Sequence, residues 1–328
     1  MSLRSNFQIE NLGQKSLPKD AVDSLIKEGY FKLFIPKALG GLELNLIEAC
    51  ELLKETAFIN PSLGWVHNLG AGANYFCGFF DKPTATEIFK PHNVITCGSG
   101  RPTGTYKETS RSFILNGSWD KCSGANFATY LTCVAVSEIN PKELKTFILP
   151  SKEIPLTDDW NTFGLKASSS YSFALKQQSI PKNFEFEINT IKSFHTYPIY
   201  DVPFELFARI CLSATFEGIA LRFIEDLSNE IRNPNETFKN SLSELHSAVE
   251  INNGTRIEVA KLIFQSKKYT QTKDCTLKMN NLSQTHWDIF RMATTLFYHA
   301  GVRITEENSP ANWTFRDLCT AIQHYMLK

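Results

Sequence analysis

Three observations predict an α+β architecture with a helical amino-terminal domain (1–91), a central β domain (92–200) and a carboxy-terminal helical bundle (201–328). Apolar residues recur at helical spacing before Pro91. Short runs of Val, Ile, Phe, Tyr and Thr, separated by Gly, Pro, Ser or Asn, then occupy the middle of the chain. Helical spacing returns from Pro203 onward. Helices, strands and helices in separate blocks are not the alternating pattern of a parallel βαβ protein. A chain of 328 residues is also too long for one small core.

In the first block, Asn45 followed by Glu48 is the signature of a capping box, and Leu46, Cys50, Leu53 and Ala57 continue as one apolar stripe. A second helix starts at Asn60-Pro61, where proline supplies the preset φ of a first turn. Its interior, Gly70-Ala71-Gly72-Ala73, is small enough to admit another backbone. In the middle block the predicted strands are 93–96, 113–115, 130–136, 145–149 and 171–175, and they suggest a compact barrel or sandwich. Asn116-Gly117, between two β-prone runs, predicts a two-residue hairpin turn. In the last block Phe207, Ile210, Ala214, Gly218 and Leu221 form a helical stripe, and Asn233-Pro234-Asn235 ends it. Further helical segments lie near 256–268 and 282–297.

Composition removes several classes. With 34 basic and 34 acidic side chains, the chain lacks the basic excess of a nucleic-acid binder. No apolar run approaches the roughly 18 residues of a membrane span. The first residues, Met-Ser-Leu-Arg-Ser-Asn, carry no apolar signal core, so a cytoplasmic location is expected. Eight scattered cysteines without a Cys-x-x-Cys pair fit reduced thiols, and the histidines show no metal-ligand spacing. There is no Gly-x-Gly-x-x-Gly or Walker loop to hold a nicotinamide or nucleoside triphosphate.

Ser123-Gly124 and the run Ser168-Ser169-Ser170 are compact, donor-rich turns. A flat heteroaromatic cofactor needs such hydroxyls and close backbone approach more than it needs charge. Trp119 is a candidate cover for a ring face.

Five stretches, taken in order, resemble the acyl-CoA dehydrogenase superfamily, and within it the two-component flavin-dependent monooxygenases. They are Gly29 to Glu43; Asn60-Pro61-Ser62-Leu63-Gly64-Trp65-Val66; Gly117-Ser118-Trp119 through Ser123-Gly124; Trp160 with Gly164 to Ser170; and Trp313-Thr314-Phe315-Arg316-Asp317 through Gln323-His324. The resemblance implies a flavin, FAD or FMN, bound as a diffusible reduced cofactor supplied by a separate flavin reductase. It implies a cofactor site formed by Trp119, Ser123, Gly124, Trp160, Ser168, Ser169 and Ser170. A small aromatic or heterocyclic substrate would lie near Trp65, His67 and Glu205. A homodimer or homotetramer is implied as well.

Within that superfamily the proton-handling residue separates two chemistries. The dehydrogenase glutamate, eight positions after the Arg-Asp pair, falls on Tyr325, and a phenol is no base at neutral pH. The monooxygenase histidine, seven positions after the aspartate, falls on His324. His324 and Ser123 are therefore the catalytic candidates for an oxygenating enzyme. Two alternatives stand beside it: a true acyl-CoA dehydrogenase using Glu205, and a non-catalytic scaffold that keeps the fold. The chain departs from the family pattern where three serines replace Thr-Gly-Ser and where Lys166 replaces an arginine.

Overall fold

The computed structural model describes residues 13–192 and 196–328. Four helices come first: α1 (Lys19–Lys27), α2 (Leu46–Ile59), α3 (Pro61–Asn74) and α4 (Lys82–Phe89). Seven strands follow: β1 (Thr96–Glu108), β2 (Ser112–Cys122), β3 (Tyr130–Ser137), β4 (Leu144–Pro150), β5 (Leu156–Thr157), β6 (Tyr171–Pro181) and β7 (Glu185–Phe186). The last block holds α5 (Phe204–Glu230), α6 (Glu236–Gln265), α7 (Lys273–His299) and α8 (Pro310–Ala321).

Local chemistry starts the helices where the residues place them. The Asn45 side chain accepts from the backbone N–H groups of Ile47 and Glu48, both at 3.0 Å, and Glu48 accepts from Asn45 N–H at 3.1 Å. That closes the capping box of α2, and Leu46, Cys50, Leu53 and Ala57 are all buried behind it. Asn60 caps α3 through Leu63 N–H at 3.0 Å, with Pro61 in its first turn.

The strands pair in the order β5-β6-β2-β1-β3-β4-β7 and make one open sheet, with β1 and β3 parallel and the other neighbours antiparallel. A closed barrel is not what this pairing forms: its end strands β5 and β7 have two residues each, too few to zip against one another. Asn116-Gly117 is not a hairpin turn either. β2 runs through it, and the β1–β2 reversal is made at Thr109 to Ser112. The register of β2 against β6 shifts between Leu115 and Gly117, so the dipeptide is a bulge. A Cβ on Gly117 would stand 2.5 Å from the Gly104 Cα and 2.9 Å from the Trp119 ring. Glycine is required there by close approach, not by a turn.

The apolar core crosses the predicted boundaries, since one cluster includes Phe34, Leu53, Phe147, Phe207 and Met279. α2 and α5 meet at closest range around Gly218, where a Cβ would lie 2.2 Å from the Lys54 carbonyl oxygen and 2.9 Å from the Ala57 Cβ. Gly218→Val is therefore expected to destabilise the chain by about 2–3 kcal/mol through forced separation of the two helices. A urea midpoint equal to that of the wild type would contradict this packing.

Candidate active site

The site is assembled at the junction of the sheet with the helical bundle. Gly124 (φ +78°) ends β2 in the left-handed region, and its N–H donates to Ser168 O at 2.8 Å. Ala125 N–H donates to Ser169 O at 3.2 Å. These two bonds bring the turn after β2 against the loop before β6. Ser168 Oγ lies 2.8 Å from Ser170 Oγ, which lies 2.8 Å from Ser123 Oγ, and Trp65 Nε1–H donates to Ser123 Oγ at 3.2 Å. Three hydroxyls carry three protons and the two links between them use two, so one O–H remains to donate elsewhere. Ser169 is buried with no hydrogen-bond partner for its hydroxyl, and its φ is +45°. The left-handed region favours glycine, and a serine stands in it here at a steric cost.

Two residues of α8 hold that loop. The Asp317 carboxylate accepts from Leu165 N–H, and Thr320 Oγ1 accepts from Gly164 N–H at 2.9 Å. Trp160 Nε1–H donates to Leu165 O at 2.9 Å. The Arg316 guanidinium is stacked between Trp313 (4.4 Å) and Phe163 (4.7 Å), a second clamp on the same loop. Asp317 and Thr320 were not among the candidate residues. Asp317 stands in a quoted motif, but no signal in the residues around it announces a bond to Leu165, 152 positions earlier.

His324 follows α8 directly. Its ring meets the edge of Trp65 at 5.7 Å and stacks on Tyr325 at 5.1 Å. Met326 N–H donates to His324 Nδ1 at 3.4 Å, which leaves the ring proton on Nε2 as a donor. Desolvation lowers its pKa to about 4, so the imidazole is neutral at physiological pH. Ser123, Trp65 and His324 are thus in one contact series.

Other candidates lie elsewhere. Trp119 is fully buried in the sheet, its N–H donating to Val134 O at 2.9 Å and its ring stacked on Phe173 at 5.3 Å. Its faces are occupied by protein. His67 is buried with Nδ1 3.0 Å from Thr56 Oγ1 and Nε2 3.0 Å from Tyr30 O, and desolvation lowers it to about 4. It ties α3 to α2 and to Tyr30, with both nitrogens engaged. Glu205 is exposed in the first turn of α5. Partial desolvation, and then the nearby Glu205 carboxylate, raise the Tyr325 phenol.

The donor set fits a flavin: a spare serine O–H and an orphaned Ser169 hydroxyl, without fixed charge at the hydroxyl cluster. Among the described residues no cluster of ligating side chains could hold a metal ion, and no helix is long and apolar enough to cross a membrane.

No family model matches the chain. Its fold is the acyl-CoA dehydrogenase-like fold, and its relatives include oxygenase subunits of flavin-dependent monooxygenases. Among these, the chain is 24% identical over 217 residues to the flavin-dependent monooxygenase oxygenase subunit HsaA of Mycobacterium tuberculosis, covering 63% of this chain and 55% of that protein. It is 25% identical over 219 residues to the indole-3-acetate monooxygenase of Pseudomonas putida, covering 66% and 56%. The chain therefore spans little more than half the length of these curated relatives. XiaF from Streptomyces sp., in complex with FADH2 and glycerol, superposes with a TM-score of 0.86 at 19% identity over 96% of this chain and 86% of that one. TdsC from Paenibacillus sp. A11-2, in a complex with FMN and indole, gives 0.77 at 16% identity over 94% and 87%.

The buried carboxylate of α8 has a measurable signature. Burial pushes Asp317 up to about 7, against the opposing pull of Leu165 N–H. Between the ordinary carboxylate value near 4 and about 7, the folded chain keeps a proton that the unfolded chain has lost. The contribution of Asp317 to stability therefore falls as pH rises through that window. Three histidines held near 4 act in the opposite sense, losing stability as pH falls, but they are common to wild type and variant. The stability of Asp317→Asn relative to wild type should accordingly climb by on the order of 1 kcal/mol per pH unit between about 4 and 7, then level off. Urea titrations at four pH values read this directly, and a difference independent of pH would refute it.

Proposed function

We propose that this chain is the oxygenase component of a two-component flavin-dependent monooxygenase that hydroxylates a small aromatic or heterocyclic substrate. The observation that carries the reading is the contact series from Ser123 through Trp65 to His324, which joins the hydroxyl cluster to a neutral imidazole N–H. Reduced flavin, delivered by a separate reductase, would supply the electrons that activate O2. Gly124 and Ser168 to Ser170 would approach its ring, and the spare O–H of the serine trio would donate to a ring nitrogen or carbonyl. His324, neutral with its proton on Nε2, would donate to reacting oxygen or orient the substrate hydroxyl, a role for which a desolvated imidazole is suited. Trp65 sets the spacing between the two groups and helps exclude water. Substrates named for the homologues, among them indole-3-acetate and p-hydroxyphenylacetate, support an aromatic class.

His324→Ala should leave reduced-flavin affinity within about twofold while product formed per reduced flavin falls on the order of 10²-fold, the balance appearing as hydrogen peroxide. Flavin titration followed by peroxide and product assays reads both numbers. Unaltered coupling in the variant would remove His324 from the reaction, and failure of any flavin to bind the wild type would leave the scaffold alternative.

We further propose division into three domains at 1–91, 92–200 and 201–328, a reading supported by the change of element type. Self-association into a dimer or tetramer is proposed through the α6–α7 face, where Ile251, Leu277 and Tyr298 are exposed. Sedimentation should show a species at least twice the monomer mass, and a monomer at every accessible concentration would exclude it. Eight free cysteines accord with a reducing compartment such as the cytoplasm.

A further inference from the structure

A buried chain of hydrogen bonds in the helical bundle ends directly beneath His324. It begins at the Glu217–Arg256 ion pair, whose side chains are inaccessible to solvent and whose charges meet at 2.9 Å. Asn252 Nδ2 donates one proton to Glu217 Oε1 at 2.8 Å and the other to Ser213 Oγ at 3.0 Å. Ser213 Oγ lies 2.9 Å from His286 Nε2, and His286 Nδ1 lies 3.2 Å from the carbonyl oxygen of Leu327. Leu327 N–H in turn donates to His324 O at 3.0 Å, closing the single turn that carries the His324 ring.

The protons in this chain are determined by chemistry. A carbonyl oxygen only accepts, so His286 Nδ1 bears the ring proton. Burial, with the Arg209 charge adding to it, keeps His286 neutral by lowering it to about 4, so Nε2 accepts the Ser213 hydroxyl proton. Ser213 Oγ is then the acceptor for Asn252, and every link has one donor and one acceptor. Phe216 meets the His286 ring at its edge, at 5.1 Å, and limits its rotation.

An apolar residue at 286 would fill the same space, but it could not set the height of the Leu327 carbonyl. We infer that His286 is a positioning residue: through Leu327 it sets the register of the 324–327 turn, and so the distance of the His324 ring from Trp65 and Ser123. Its functional consequence rests on the reading of His324 given above, whereas the positional claim stands on the chain itself.

The test uses the full-length protein labelled with 15N-histidine, without flavin. In the wild type, His286 must show the Nδ1–H tautomer with a slowly exchanging ring proton. The Nε2–H tautomer overturns the inference without any variant. His286→Asn keeps a donor near the Nδ1 position, and His286→Gln keeps only the group near Nε2. The Asn variant should retain the His324 tautomer and titration of the wild type. The Gln variant should release the turn and move the His324 midpoint from about 4 toward the ordinary value near 6.5. Product per reduced flavin should drop on the order of tenfold to a hundredfold in the Gln variant alone. Identical His324 spectra in two folded variants overturn the positioning role. A shifted His324 with coupling intact upholds it and instead counts against His324 in the chemistry.

Discussion

The site depends on one buried carboxylate. Asp317, on the last long helix, accepts the Leu165 N–H and so fastens the helical bundle to the loop that leads into β6. That loop takes left-handed backbone at Leu165 and again at Ser169, a conformation that costs a non-glycine residue on the order of 1–3 kcal/mol each time. Such backbone persists only where neighbours over-determine it. Asp317, Thr320 and Trp160 do so from one side, and the N–H groups of Gly124 and Ala125 do so from the other. The bond to α8 thus fixes from the bundle side a loop that Gly124, Ala125 and the Ser123–Ser170 hydroxyl pair hold from the sheet side.

The same helix also delivers His324, so both halves of the candidate site are referred to one rigid element. The groups offered at the site itself, the serine hydroxyls and the His324 imidazole, are neutral. Burial strips His324, His67 and His286 of charge, and the serines offer hydroxyl protons with no ionised partner. Preorganised neutral donors are well matched to a flat heteroaromatic ring whose nitrogens and carbonyls accept hydrogen bonds. Charge is kept deeper, in the Glu217–Arg256 pair, where it organises Asn252 and Ser213. A buried pair of that kind adds little net stability, but it is directional, and direction is what the turn under His324 requires.

Interactions between residues close in the chain were legible from the residues alone. The capping box at Asn45, proline at the start of α3, the stripe on α2 and the break at Asn233 all involve groups within a turn or two of helix, where spacing equals geometry. Four of the five predicted strands coincide with observed ones for the same reason, and the segment at 93–96 leads into β1. Asn116-Gly117 shows where such reading stops. A dipeptide suited to a turn is equally suited to a bulge, and Trp119 together with Gly104 on the neighbouring strand decides between them. The barrel expectation failed likewise, because strand number and alternation do not say whether the end strands are long enough to meet.

The order of element types, the places where helices begin, the absence of charge excess and the short motifs that carry the family likeness were all contained in the linear sequence. Only the folded chain decided that Trp119 packs inside the sheet while Trp65 bonds Ser123 and meets His324, that His67 ties α3 to α2, and that Asp317 holds the serine loop. The physical reason is common to all of these. The Trp65, His67 and Asp317 contacts join groups from about ten to more than two hundred residues apart, and the desolvation that makes His324 neutral exists only after those groups have been packed together.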